Sequence, residues 1–142
     1  MKINYQKQGK RNLAKGRRFE AKTRKDLENK RWIVSKWQNN VDLKGSRLIP
    51  AKQGRFRKTS TGFPDFIAYK MYNVPDTSRD KGFNWLFLYD VQGIECKTNG
   101  YLTQEEKAKC KWLLDNNIFS KILIAKKGKK RGKIEYNEYG NV

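Results

Sequence analysis

The sequence predicts an α/β domain with a small mixed sheet, and three observations carry that expectation. Between Gly16 and Asn29, Phe19, Thr23 and Leu27 recur at four-residue steps among charged residues, the period of a helix that buries one stripe. Segments rich in β-branched and aromatic residues stand at 31–38, 63–70, 85–97, 120–125 and 133–138, each of strand length. Thr103 and Glu106 form a Thr-x-x-Glu capping box, which opens a second helix. The order of helix, strands, helix, strands is that of a mixed sheet covered by helices.

Taken in order, residues 1–15 form a basic N-terminal arm without apolar periodicity, ordered on binding, and 16–142 form the folded domain. The first helix runs from Gly16 to about Asn29, and Arg31–Gln38 (RWIVSKWQ) is the first strand. Residues 39–62 lack periodicity and read as a loop. Phe63–Lys70 is the second strand, with Pro64 near its start, where a missing backbone donor is tolerated. Residues 71–84 are a polar excursion with Pro75, Asp80 and Gly82. Trp85–Lys97 is a long strand, or one broken near Gly93. The second helix spans about Gln104–Asn116 and directs Ala108, Trp112 and, less regularly, Leu113 to one face. Ser120–Ala125 and Lys133–Glu138 close the domain as strands around a basic turn.

Composition narrows the function. The 142 residues suit one domain, and 18 aromatics among 37% apolar residues are enough for a core. Thirty-three Lys and Arg against 14 Asp and Glu give a net charge of +19, the balance of a protein that meets a polyanion, nucleic acid foremost. There is no histidine, which excludes imidazole bases and His-ligated zinc. Chemistry must therefore come from carboxylates and lysines. Cys96 and Cys110 stand in no metal-ligand spacing and read as reduced thiols. Without a signal-like apolar segment or a span of ~18 apolar residues, the expected location is cytoplasmic.

Two carboxylates stand out. Glu95 and Lys97 alternate with Ile94 and Cys96 along a strand, so they share one face. Asp65 lies among Phe63, Phe66, Ile67 and Ala68 on another strand. Two carboxylates and an ammonium in apolar strands are costly unless used, and a pair of carboxylates with a divalent ion between them suits Mg²⁺ or Mn²⁺. Pro75-Asp76 is a rival for the first carboxylate, but a loop composition follows it, whereas Asp65 leads into FIAY.

Pro64-Asp65, 29 intervening residues and then Glu95-Cys96-Lys97 resemble the Pro-Asp…(Asp/Glu)-x-Lys signature of the restriction-endonuclease-like, PD-(D/E)XK nuclease superfamily. Gly16-Arg17-Arg18-Phe19-Glu20 is similar to the Gly-x-x-x-Glu pattern of archaeal Holliday-junction resolvases. The resemblance covers Gly16 to Ala125. It implies a single restriction-endonuclease-like domain, a central mixed β-sheet flanked by helices, and a metal-dependent DNA endonuclease, structure-specific and homodimeric. It also implies roles. Asp65, Glu95 and Glu20 would hold Mg²⁺ or Mn²⁺ together with the Cys96 carbonyl, Lys97 would serve the reacting phosphate, and Gln104 would join the site from the start of the second helix.

Lys15, Arg17, Arg18, Lys44, Arg47, Lys52, Arg55, Arg57 and Lys58 are the expected DNA contacts, since the stretch 44–58 carries six cations and no acid. Six more between Lys126 and Lys133 read as a solvated hairpin turn with more charge than solubility requires. The competing reading is a non-catalytic basic nucleic-acid-binding protein, which the composition alone favours. A sequence-specific or repair nuclease of the same superfamily is a third. Membrane-surface binding needs a broad apolar helix face, and neither expected helix has one.

Overall fold

A computed structural model describes residues 4–51, 62–76 and 84–140. The elements are α1 (Tyr5–Asn29), β1 (Ile33–Lys36), β2 (Asn39–Asp42), β3 (Arg47–Pro50), β4 (Phe66–Asp76), β5 (Asn84–Cys96), α2 (Gln104–Asp115), β6 (Lys121–Lys127) and β7 (Ile134–Glu138). The main sheet has the order β1-β4-β5-β6-β7, and β2-β3 form a separate hairpin. Neighbours in the main sheet are antiparallel except β5 and β6, which are joined through α2 and run parallel. The protein is thus mixed α/β, as the sequence pattern predicts.

Each face of the sheet buries one helix, because side chains alternate along the strands. Phe19 and Leu27 of α1 pack with Val34, Phe66, Ala68, Ile94 and Ala125. Cys110 and Leu113 of α2 pack with Val41, Phe63, Phe119, Ile122 and Ile124 on the other face. The Phe19, Thr23, Leu27 stripe is buried as expected, with the Thr23 hydroxyl donating to the Phe19 carbonyl at 2.9 Å. On α2 the buried stripe is Cys110 and Leu113, with Trp112 partly covered and Ala108 exposed. The expected face was therefore rotated, because the four-residue step from Ala108 to Trp112 follows a lightly buried row.

Three boundaries differ from the sequence expectation. α1 begins at Tyr5, capped by the Asn4 side chain accepting from Lys7 N–H, so the expected arm is helical over 5–15. Its Gln, Lys, Arg, Ala and Leu are good helix formers. No apolar period marks this part because, among the described residues, it buries no side chain and lies almost wholly exposed. Residues 39–50, expected as loop, form the β2-β3 hairpin, anchored by buried Val41. The expected polar excursion is strand where it is described, at 71–76 and 84, while 77–83, with Asp80 and Gly82, lie outside the described residues: β4 and β5 pair in unbroken register from Phe66↔Ile94 to Asp76↔Asn84. Pro75 is accommodated because β1 pairs with β4 only as far as Tyr69, so that among the described residues no strand pairs with that edge of β4 at Pro75. Gly93 does not break β5. It lets Pro64 and Phe119 approach, since a Cβ there would lie 2.9 Å from Pro64 Cγ. Among the described residues no helix is long and apolar enough to cross a membrane.

Candidate carboxylate centre and its basic surroundings

Asp65 is held from three sides just before β4. Phe63 N–H donates to the Asn39 carbonyl at 2.9 Å, and Trp37 N–H donates to the Asp65 carbonyl at 3.1 Å. Asp65 Oδ2 accepts from Cys96 N–H at 2.8 Å, across the strand pair. The register Phe66↔Ile94 continues to set Asp65 opposite Glu95. Gly62 permits this path, because a Cβ at that residue would lie 2.0 Å from the Trp37 carbonyl oxygen.

Glu95 is 6% exposed. One oxygen faces Lys97 Nζ at 3.6 Å, and the other, Oε2, is buried with no hydrogen-bond partner among the described residues. Like charges opposite one another on a sheet destabilise it, and Glu95 shows that. Burial, and then the neighbouring Asp65 charge, push the Glu95 carboxyl well above its usual range against the pull of Lys97. Burial and the Glu20 charge push Asp65 up to about 6, opposed by the Cys96 N–H, Lys36 and Lys97. The α-face alternation is as expected: Ile94 and Cys96 belong to the α1-side core, while Lys97 stands beside Glu95.

Lys97 is shared. Its ammonium donates to Glu106 of α2 as well as facing Glu95. Burial pulls its pKa down, but the Glu106 hydrogen bond and the surrounding carboxylates outweigh that and raise it. Glu106 uses its other oxygen to accept from Thr103 N–H at 2.8 Å, completing the expected capping box. Gln104 stands exposed at the first position of α2, so the residue that α2 brings to the centre is Glu106. Glu20 comes from α1, its Oε2 3.8 Å from Lys36 Nζ at the end of β1. Arg24, four residues further along α1, pairs with Glu28 at 2.7 Å. Lys36 and the bridging role of Glu106 were missed by the sequence reading. The signal for Glu106 was present in its two-fold position, N3 of a helix that follows the Glu-x-Lys strand.

The Cys96 thiol sits against Thr23, and burial raises its pKa. Its link to the centre is the N–H donated to Asp65. The rival Asp76 closes β4 at the far end of the β4-β5 pair, about 35 Å of strand away. Among the described residues no group of three or more Cys, Asp or Glu gathers at metal-binding distance. What converges is the pair Asp65 and Glu95. That donor set fits Mg²⁺, which is commonly held by one or two carboxylates plus water and substrate phosphate, and Glu95 Oε2 is an oxygen in want of such a partner.

The cations form a track. Lys7, Arg11, Lys15, Arg18 and Lys22 follow one another at three- and four-residue steps along α1, a single helix stripe. They border successive grooves on α1. The last of these leads to a cavity of about 280 Å³ between α1 and the β6-β7 turn, where Lys22 meets Lys127, Lys130, Arg131 and Lys133. Of the expected contacts, Lys15 and Arg18 lie on this track, and Arg17 is exposed beside it. Lys44 and Arg47 lie on the β2-β3 hairpin, Arg47 paired with Asp42 at 3.4 Å. Lys52, Arg55, Arg57 and Lys58 fall outside the described residues. The Lys126–Lys133 turn, read from sequence as mainly solvated, is thus one wall of a cation-lined cavity.

Comparison with protein-family models, curated proteins and solved structures gave no match.

Proposed function

We propose that this protein is a Mg²⁺- or Mn²⁺-dependent DNA endonuclease of restriction-endonuclease-like type, acting on branched DNA in the manner of archaeal Holliday-junction resolvases. The observation that carries the reading is the opposition of Asp65, in the bend that enters β4, to Glu95 on β5, with Lys97 on the same face and Glu95 Oε2 buried without a hydrogen-bond partner among the described residues. A protein of +19 has no structural need to bury two carboxylates against each other. Asp65 and Glu95 would hold the ion, with Glu20 and the Cys96 carbonyl as further candidates. Bound there, it supplies Lewis-acid polarisation of the phosphate and an acidified water. Lys97 offsets the negative charge that develops on the phosphate, and the α1 track holds the backbone by neutralising phosphates. The absence of histidine fits, since no step needs an imidazole.

The basic track alone also fits a non-catalytic binder, but that reading gives the buried carboxylate pair no use. The test is incubation with linear duplex, flap, fork, four-way junction and single strand, in Mg²⁺ and in EDTA. The expected result is paired, symmetric nicking of the junction in Mg²⁺ only, abolished in Glu95→Gln and Lys97→Ala with DNA binding retained. Unchanged cleavage by Glu95→Gln would overturn the assignment. Tight binding without cleavage of any substrate would favour the binder.

A further inference from the structure

The cavity of about 280 Å³ between α1 and the β6-β7 turn shares no residue with the carboxylate centre. Five cations line it, Lys22 from α1 and Lys127, Lys130, Arg131 and Lys133 from the end of β6 and the turn, and among the described residues no acid does. Glu135, the acid nearest in sequence, is already held by Lys126 Nζ at 3.6 Å and by Lys129 N–H at 3.2 Å. Among the described residues Lys22, Lys127, Lys130 and Arg131 form no ion pair, whereas Arg24, Lys30, Lys109 and Lys111 each hold an acid four residues away. Phe19 and Ile134 complete the wall with apolar surface, beside which a charge-assisted contact is stronger than in open water.

The geometry points to a binding site for a chain of linked phosphoryl groups, as in a di- or triphosphate. The grooves along the N-terminal half of α1 have a single wall, because helix residues alone border them, and a long backbone can lie along such a surface. The cavity has two walls with cations on both, so a ligand inside it is met from two sides. A nucleic-acid backbone brings one charge per phosphodiester, with sugars between. Linked phosphoryl groups carry their charges on neighbouring atoms, the distribution that five converging cations match. Size agrees. About 280 Å³ lies just below the ~300 Å³ at which pockets for whole small molecules begin, so the phosphoryl chain enters while sugar and base stay outside. The turn adds backbone donors. Lys133 N–H donates to the Lys130 carbonyl at 3.1 Å, and among the described residues the Arg131 and Gly132 N–H groups have no protein partner. Gly132 has a φ of 79°, and successive N–H groups around such a left-handed residue form concavities that bind anions.

Polyphosphate binding here is independent of the nuclease reading, and EDTA keeps the carboxylate centre out of the test. Calorimetric titration of the full chain with inorganic tripolyphosphate, in ~0.1 M salt to screen charges beyond ~10 Å, should show one site per chain. Lys127→Ser combined with Lys130→Ser should raise the dissociation constant at least about tenfold, with unchanged circular dichroism. Lys107→Ser combined with Lys121→Ser removes the same two charges from residues outside the cavity and should change it less than about twofold. Glu95→Gln should bind like the wild type. Orthophosphate should bind at least about tenfold more weakly than tripolyphosphate. Two sources carry such a chain, a free nucleotide and the end of a strand. ATP and CTP that both bind as tripolyphosphate does would identify the nucleotide. An RNA oligonucleotide with a terminal triphosphate that binds more tightly than its hydroxyl-ended twin, and than either nucleotide, would identify the strand end. Equal weakening by the two double variants, orthophosphate binding as well as tripolyphosphate, several equivalent sites, or failure of both sources to bind would each overturn the proposal.

Discussion

Replacing Asp65 by Asn removes one of two opposed carboxylates yet keeps an oxygen to accept from Cys96 N–H, now 2.8 Å away. Asp65 ionises near 6 in the folded chain against 3.8 when unperturbed, raised first by burial and then by Glu20. A carboxyl with a raised folded pKa keeps its proton where the unfolded chain has released it. Its contribution is therefore present at low pH and lost as pH climbs from 3.8 through about 6. The shift of about two pH units corresponds to at most ~3 kcal/mol at neutral pH. Partial exposure and the new amide hydrogens reduce this, so Asp65→Asn should gain about 1–2 kcal/mol, or roughly 3–6 °C in Tm. Thermal melts without divalent ions from pH 4 to pH 8 provide the assay. The two proteins should melt alike near pH 4 and separate through pH 6, with the variant more stable above. A variant less stable at pH 7.5, or a difference flat across pH, would refute the reasoning. Under the proposed function the same variant should not cleave DNA.

Other outcomes can be checked alongside. Lys22→Ser, Lys127→Ser and Lys130→Ser together should lower the salt slope of DNA binding by about 3, some 0.9 for each lost phosphate contact, as read from titrations at several salt concentrations. Gly62→Ala should cost about 1–3 kcal/mol and displace Asp65, because its Cβ would meet the Trp37 carbonyl; denaturant melts and cleavage rates would register both effects. Neither thiol should react readily with a disulfide reagent at pH 8, since burial holds Cys110 up at about 12 and raises Cys96 too. Both should react once the chain is unfolded.

Where one residue's neighbours decide its fate, the sequence was readable. Phe19, Thr23 and Leu27 recur because one helix stripe is buried, and Thr103 and Glu106 cap α2 through purely local bonds. The juxtaposition of Asp65 with Glu95 was inferable from two strands that share apolar surroundings. What stayed hidden depends on distance along the chain. Residues 5–15 bury no side chain among the described residues, so their helix left no period to read. The outer part of the β4-β5 pair was masked by Asn73, Pro75 and Asp76, polar or ring-closed residues that two strands tolerate where, among the described residues, no third strand joins them. Lys36 reaches Glu20 only because β1 folds back beside α1. The cavity between α1 and the β6-β7 turn joins cations more than a hundred residues apart.

The divided carboxylate of Glu106 has a consequence for how Lys97 can be used. One oxygen holds the ammonium and the other closes the first turn of α2 on Thr103 N–H. An incoming anion that draws the ammonium away takes only the first of these bonds. The helix start remains fastened, and the lysine keeps a berth to which it returns. Glu106 thus divides its two bonds between Lys97 and the helix start, so that loss of the first would leave the second in place.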